Sequence, residues 1–351
     1  MPRDIALLAS GIVAASSAGL SYVFSFVSAH HAVRFGAIDK PTGGRKIHAE
    51  PIPLLGGAGI VCALLIAMAA GSRLGLLPGI SPRQLIGFAV ALVILVIGGA
   101  LDDLRPQPAL RQLIFPILAA VAVIVSGTGI VQVTSLSGPN GFSLVWWKSS
   151  SLSLPADLLT LLWLLFATYA TKLLDGLDGL VAGIAVIGSS MVGALTLSIA
   201  YFQPGVAALA AAVGGSFMGF LPRNAHPAKQ FLGEAGSTMA GFSLGFLAIV
   251  SSAKVAIALS VLAIPLADAV FVVVGRLRRG LPPWKGDATH LHFRLLDAGI
   301  SHRTAVVLLW AASFAAGVAA LTLQTRGKLF LVGSLVVLTG LLSWVMNRRR
   351  V

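Results

Sequence analysis

The sequence predicts an all-α polytopic membrane protein, and three observations carry that prediction. Of the 351 residues, 57% are hydrophobic and 11% charged, with a mean hydropathy of +0.92; a soluble globular domain carries about 25% charge. Apolar runs near the ~20 residues a helix needs to cross a bilayer recur from one end of the chain to the other. The charged residues fall between the runs and favour alternate breaks, as topology signals do. The lone cysteine, Cys62, excludes a disulfide framework or a cysteine-based metal site and reads as a packing residue.

In chain order the expected spans are 5–27, 54–71, 84–101, 111–127, 154–173, 177–200, 206–222, 236–252, 254–275, 304–323 and 329–347. The first is too long for a signal-peptide core and lacks a clear cleavage site, so it reads as a retained helix. Prolines mark the breaks: Pro51 and Pro53, Pro78 and Pro82, Pro106 and Pro108, Pro204, Pro222 and Pro227, Pro282 and Pro283. Residues 128–153 alternate around a Gly-Pro-Asn-Gly turn, which suggests a short external β-hairpin with Trp146 and Trp147 at the interface. No soluble domain, low-complexity linker or repeat interrupts the pattern. The reading is therefore one integral-membrane domain over 1–351.

With about eleven spans, 18 of the 25 Lys and Arg residues fall on the side reached after the first span and 7 on the other. The positive-inside rule makes that first side cytoplasmic, with the N-terminus outside and the C-terminus inside. Nine of the twelve acids fall there too, with Asp4 and Asp157 outside and Asp268 within the ninth span, and all seven histidines lie on or at the edge of that side. The rule does not explain acids and histidines. Their bias points to chemistry in the cytoplasmic loops 30–53, 102–110, 172–178, 223–235 and 276–303.

Five stretches carry the candidates. "GGALDDLRP" ends the third span with Asp102 and Asp103, adjacent carboxylates that call for a cation or a raised pKa unless they are only a solvated helix end. "TKLLDGLDGL" sets Lys172, Asp175 and Asp178 three residues apart, on one face if the segment is helical, where the bland alternative is a self-neutralising Lys–Asp pair. "NAHPAKQFLGEAGS" places Glu234 between glycines at the start of a span, where helix amides near Gly236 and Ser237 suit an anion and Glu234 a metal; the alternative is a capping loop. "RLRRGLPPWKGDATHLHFRLLDAGISHR" crowds Arg276, Arg278, Arg279, Lys285, His290, His292, Arg294, His302 and Arg303 into one loop, suited to phosphate or to anionic lipid. His290 and His292 share a face only in an extended segment, and a zinc site there lacks further ligands. "GAIDKPTGGRKIHAEPIPLLGGAG" joins Asp39, Arg45, Lys46 and His48 to a glycine-rich span entry that is neither a Rossmann fingerprint nor a Walker A loop. Carboxylates, a divalent ion and Arg or His on one membrane face are the parts phosphoryl transfer uses, with a lipid phosphate as one substrate.

Taken in order, "DKPTGGRKIHAEPIPLLGG", "LDDL", "LLDGLDGLVAG", "NAHPAKQFLGEAGS" and "HLHFRLLDAGISH" resemble the polyprenyl-phosphate N-acetylhexosaminyl-1-phosphate transferases. That family includes the enzymes that start O-antigen, enterobacterial common antigen and wall teichoic acid synthesis, and the phospho-MurNAc-pentapeptide translocase. The last motif is closer to the teichoic-acid and enterobacterial-antigen branch. The resemblance implies transfer of a sugar-1-phosphate from a UDP-sugar to undecaprenyl or another polyprenyl phosphate, with release of UMP and with Mg²⁺ or Mn²⁺, in a bacterial cytoplasmic membrane. It implies membrane lipid and a homodimer as partners, and no nucleic acid. Asp102 then matches the acid that deprotonates or orients the lipid phosphate, with Asp103 beside it near the metal. Asp175 and Asp178 match the nucleotide-side acids, and Glu234 the metal-binding acid. His290, His292 and Arg294 match the loop that holds the diphosphate, and Lys46, His48, Asn224 and Lys229 join the substrate-binding set.

Three positions depart from the resemblance. Lys172 stands where relatives usually have Asn beside the metal, Glu234 replaces Asp, and Phe293 replaces a frequent third His. A lysine cannot ligate a metal when protonated; it can pair with a phosphate oxygen or with Asp175. The departures leave open a rearranged metal shell, a different sugar, or a lipid-phosphate-binding protein that has lost catalysis. A secondary transporter would carry its charges at the bilayer midplane within inverted repeats. A CDP-alcohol phosphotransferase would need further aspartates after "DGLDGLVAGIAVIGSS".

Overall fold

The computed structural model describes residues 1–41, 50–133, 142–149, 153–251, 255–282 and 289–348. The helices are α1 Arg3–Phe35, α2 Gly56–Arg73, α3 Pro82–Leu104, α4 Ala109–Val125, α5 Ala156–Leu174, α6 Leu180–Thr196, α7 Pro204–Asn224, α8 Gly233–Val250, α9 Val255–Val261, α10 Ala263–Arg278, α11 Leu291–Asp297, α12 His302–Thr322 and α13 Thr325–Arg348. Each expected span falls on one of these, the ninth on α9 and α10 together. Among the described residues, eight helices are long and apolar enough to cross a membrane, and nine if α9 and α10, bent by 69°, count as one. The chain is thus an all-α multi-pass membrane protein.

Local chemistry sets the helix ends. Gly36, in the left-handed region at φ 78°, closes α1 and donates to the Ala32 and Val33 carbonyls. No breaker precedes it, so His30, His31 and Arg34 extend α1 rather than opening the first loop. Ser81 and Gln84 form a reciprocal capping box around Pro82 at the start of α3. Ser301 accepts from the Thr304 N–H to open α12. Outer faces carry exposed apolar side chains such as Leu7, Ile86, Leu110 and Phe330, as contact with lipid requires.

One apolar core runs from Val13 to Ala320, and α8 is its axis, packed on α2, α3, α5 and α6. Lipid supplies no hydrophobic drive between helices, so close backbone approach through small residues holds such bundles together. A side chain at Gly57 would run into the Gly236 backbone, and one at Gly99 into the Ala235 backbone. The first turn of α8 is thereby seated between α2 and α3. Thr171 ties α5 to the same helix, donating to the Ser237 carbonyl (2.7 Å) and accepting from the Gly241 N–H (3.0 Å).

The strands are short. β1 Ile38–Asp39 pairs antiparallel with β2 Ile52–Pro53. β3 Gln132–Val133 pairs with β4 Phe142–Ser143, and β5 Val145–Lys148 with β6 Ser153–Pro155. The expected hairpin segment therefore holds two antiparallel pairs, with Trp146 and Trp147 exposed; its Gly-Pro-Asn-Gly turn lies outside the described residues. Cys62 corrects the sequence reading, since it is exposed on α2 rather than packed.

Replacing Gly99 with Val should force α3 and α8 apart, at the ~1–3 kcal/mol typical of overpacking. The melting temperature of the purified protein should fall. Gly19→Val, which meets open space, should leave it unchanged.

Candidate active site

A cavity of about 1000 Å³ opens where the C-terminal ends of α3, α5, α7 and α10 meet the N-terminal ends of α2, α6 and α8. Seven acids among the described residues line it: Asp39, Glu50, Asp102, Asp103, Asp175, Asp178 and Glu234. Lys172, Asn224, Lys229, His290 and His292 line it as well, so all five sequence stretches converge here. Lys46 and His48 lie outside the described residues. Arg294 is not on the wall: its guanidinium donates to the Thr289 and Ser343 carbonyls, each at 2.6 Å, and ties α11 to α13. That placement corrects the reading of Arg294 as a diphosphate grip, because the side chain is buried and two of its N–H donors bond backbone carbonyls away from the cavity lining.

The "TKLLDGLDGL" stretch is not one helix face. α5 stops at Leu174, Asp175 caps it in a non-helical conformation, and Gly179 at φ 81° starts α6. Asp175 and Asp178 therefore sit on a turn. Asp178 Oδ2 accepts from His226 Nδ1 (2.7 Å) and the Ala228 N–H (3.2 Å). The Asp178 N–H donates to His302 Nε2 (3.0 Å), and the Gly179 N–H to Asn224 Oδ1 (3.1 Å). Asn224 in turn donates to the Gln230 carbonyl (3.1 Å). Gly176 is small for a reason: any Cβ there would collide with His292 Nε2.

Lys172 does not pair with Asp175. Its Nζ lies 2.5 Å from Glu234 Oε1 and donates to Gln112 Oε1 (2.7 Å). Gln112 Nε2 continues to Asp102 Oδ1 (3.0 Å), which also accepts from the Gln107 N–H (2.7 Å). Lys172 and Glu234, the two charged positions that the sequence reading set apart, thus meet each other. The N-terminus of α8 holds an anion that the protein supplies itself: the Glu234 N–H donates to Asp103 Oδ1 at 2.9 Å. Asp103 Oδ2 is buried with no hydrogen-bond partner among the described residues. Asp175 presents surface to the cavity while protein encloses it. That enclosure, with the charges of Glu234, Asp103 and Asp178, pushes its carboxyl up to about 8.

An orphaned carboxylate oxygen among crowded oxygen donors fits a hard divalent cation such as Mg²⁺ or Mn²⁺. Asp103 has the unmet demand, and Asp175 faces the same cavity with a Ser237 hydrogen bond and acceptor capacity to spare, whereas Glu234 and one oxygen of Asp102 already have protein donors.

Beside the α5–α6 turn, His290 caps α11 in extended conformation, which lets its ring stack on that of His292 at 5.5 Å despite the helix that follows. Asp268 fixes this corner, accepting from His290 Nδ1 (2.9 Å) and the Leu291 N–H (2.8 Å). Both nitrogens of His292 lack partners among the described residues. Burial, with His290 alongside, drives its pKa down to about 3. Sequence reasoning passed over Gln112, His226 and the role of Asp268. Only a polar residue in an apolar run marked Gln112 and Asp268, and His226 was visible only within its motif.

Fold and site together define a multi-pass membrane protein with a carboxylate-lined cavity at one end of its helices. The family model for glycosyl transferase family 4 matches residues 85–252. The chain is similar to the probable undecaprenyl-phosphate N-acetylglucosaminyl 1-phosphate transferase of Bacillus subtilis, 31% identical over 326 residues, covering 90% of this chain and 86% of that protein. It is also similar to the decaprenyl-phosphate N-acetylglucosaminephosphotransferase of Mycolicibacterium smegmatis, 29% identical over 162 residues, 41% of this chain and 39% of that one. A third relative is the undecaprenyl-phosphate alpha-N-acetylglucosaminyl 1-phosphate transferase of Pasteurella multocida, 32% identical over 118 residues, 32% of each chain. The chain belongs to glycosyl transferase family 4, the polyprenyl-phosphate N-acetylhexosaminyl-1-phosphate transferases.

A buried neutral imidazole gives a signed pH prediction. Between about 3 and the ~6.5 of a free histidine, the unfolded chain binds a proton at His292 that the native state does not. His292 therefore adds stability above ~6.5 that is lost as pH falls toward 3. Melting temperature should drop from pH 7 to 4.5, and His292→Gln should flatten that slope.

Proposed function

We propose that this protein transfers an N-acetylhexosamine-1-phosphate from a UDP-sugar to undecaprenyl or another polyprenyl phosphate, giving a polyprenyl-diphospho-sugar and UMP. The observation that carries the reading is the gathering of Asp102, Asp103, Asp175, Asp178 and Glu234 around one cavity that His290 and His292 also line. The cavity volume is at the upper end of the ~300–1,000 Å³ usual for small-molecule sites, room for a nucleotide sugar. The reading places eleven spans in a bacterial cytoplasmic membrane, with the N-terminus outside and the cavity facing the cytoplasm. The Lys/Arg bias supports that orientation.

Asp103 and Asp175 would hold the divalent ion, which when bound supplies Lewis-acid charge on the diphosphate. Asp102, fixed by Gln107 and Gln112, orients or deprotonates the polyprenyl phosphate arriving at the α3–α4 edge of the cavity. Asp178 and Asn224 brace the α5–α6 turn against the loop before α8, which shapes the nucleoside end. His292, neutral and buried, donates to a phosphate oxygen without competing for cations. Lys229, exposed at the mouth, adds positive charge where the nucleotide enters.

A second reading has a specific observation behind it. Lys172 already neutralises Glu234, which fits a protein that binds lipid phosphates without turning over. UMP release separates the two. Protein in nanodiscs with undecaprenyl phosphate, Mg²⁺ and a panel of UDP-sugars should release UMP with a UDP-N-acetylhexosamine and stop when EDTA is added. Asp103→Asn should cut the rate by about 10²-fold or more, as loss of an electrostatic group does. No UMP with any sugar overturns the enzyme reading.

A further inference from the structure

An ammonium planted among carboxylates is the least expected feature of the cavity. Lys172 Nζ is held from three directions: Glu234 Oε1 at 2.5 Å, Gln112 Oε1 at 2.7 Å, and the Tyr169 ring with its centroid at 5.3 Å. The Lys172 and Glu234 side chains are 16% and 17% exposed, so solvent screens the pair only in part. The backbone fixes both partners. Thr171, next to the lysine, is bonded to Ser237 and Gly241 of α8, and Glu234 starts that helix with its N–H on Asp103. The lysine is a built element of the site.

Its effect on a divalent ion follows from Coulomb's law. A carboxylate that shares its charge with an ammonium attracts a second cation weakly. A positive charge in the same cavity also repels an ion seated on Asp103 and Asp175. We propose that Lys172 is a tethered cation that fills the countercharge position on Glu234, so that a divalent ion is left to Asp103 and Asp175 and is bound more weakly than the carboxylate count implies. Lys172 and Glu234 then act on the ion as one nearly neutral unit. Through Gln112 the same ammonium is linked to Asp102, so its position also braces the carboxylate on α3. This inference rests on reading the cavity as a divalent-cation site.

The test is binding of Mn²⁺ alone to the full chain in nanodiscs, without substrates, read by electron paramagnetic resonance. Lys172→Met and Lys172→Gln should each tighten binding by about tenfold or more, since a repulsive unit charge is lost at short range. Glu234→Gln should weaken it, because the ammonium is left uncompensated. The Lys172→Met/Glu234→Gln double variant should return to within about threefold of the wild type, the non-additivity expected of a coupled pair. Melting curves confirm that each variant is folded, and either Lys172 substitution suffices if the other fails. Unchanged or weaker binding in the folded Lys172 variants overturns the inference. So does a double variant as weak as Glu234→Gln, which would make Glu234 a direct ligand. The UMP assay fails separately: a wild type that releases no UMP but shows this Mn²⁺ pattern loses the activity and keeps the pair.

Discussion

The first turn of α8 lies against the backbones of α2 and α3 with no side chain between, at Gly57–Gly236 and Gly99–Ala235. In a bilayer this contact substitutes for hydrophobic drive, and the site is built from it. It brings Asp103, at the end of α3, under the Glu234 N–H. Thr171 then fastens α5 to the same helix and sets Lys172 beside Glu234. The strand pair β1–β2 joins from the other side, where the Gly56 and Gly57 N–H groups donate to the Phe231 and Leu232 carbonyls and the Phe231 N–H to Pro53. Charged residues from all five stretches reach one cavity because the backbones of α2, α3, α5 and the β1–β2 pair meet at the start of α8.

Such a gathering of acids is costly unless each has a partner. The protein distributes partners unequally. Asp178 has His226 and Ala228, Asp102 has Gln107 and Gln112, Glu234 has Lys172, and Asp268 has His290 and Leu291. Asp103 retains one buried oxygen with none among the described residues. The unmet demand is local, and it is the physical basis for seating a divalent ion there. The same distribution separates residues that shape the cavity from those with capacity left for a ligand.

Much of the fold was legible because the bilayer imposes long apolar runs, and every run in the sequence became a helix. The misplacements were at ends and at the 69° break that divides the ninth span into α9 and α10. α1 ran on to Phe35 because no turn residue precedes Gly36. α11 was hidden inside a basic loop because seven residues are too few for a periodic signal. The pairing of β5 with β6 followed the alternation that predicted a hairpin, though the segment split into two pairs.

The sequence by itself determined which residues would be polar at one membrane face, since hydrocarbon penalises charge and confines it to span ends. Asp102, Asp103, Asp175, Asp178 and Glu234 were readable on that ground. Which of them pair with one another was not. Spacing suggested Lys172 with Asp175, three residues apart, but α5 stops at Leu174 and the shared face is lost. The tertiary structure instead gave Lys172 a partner 62 positions away on α8, and turned Arg294 from the cavity onto the carbonyls of Thr289 and Ser343. Helical periodicity reports neighbours within one element. Partners across elements are set by which backbones can approach, and here glycine and threonine contacts along α8 made that choice.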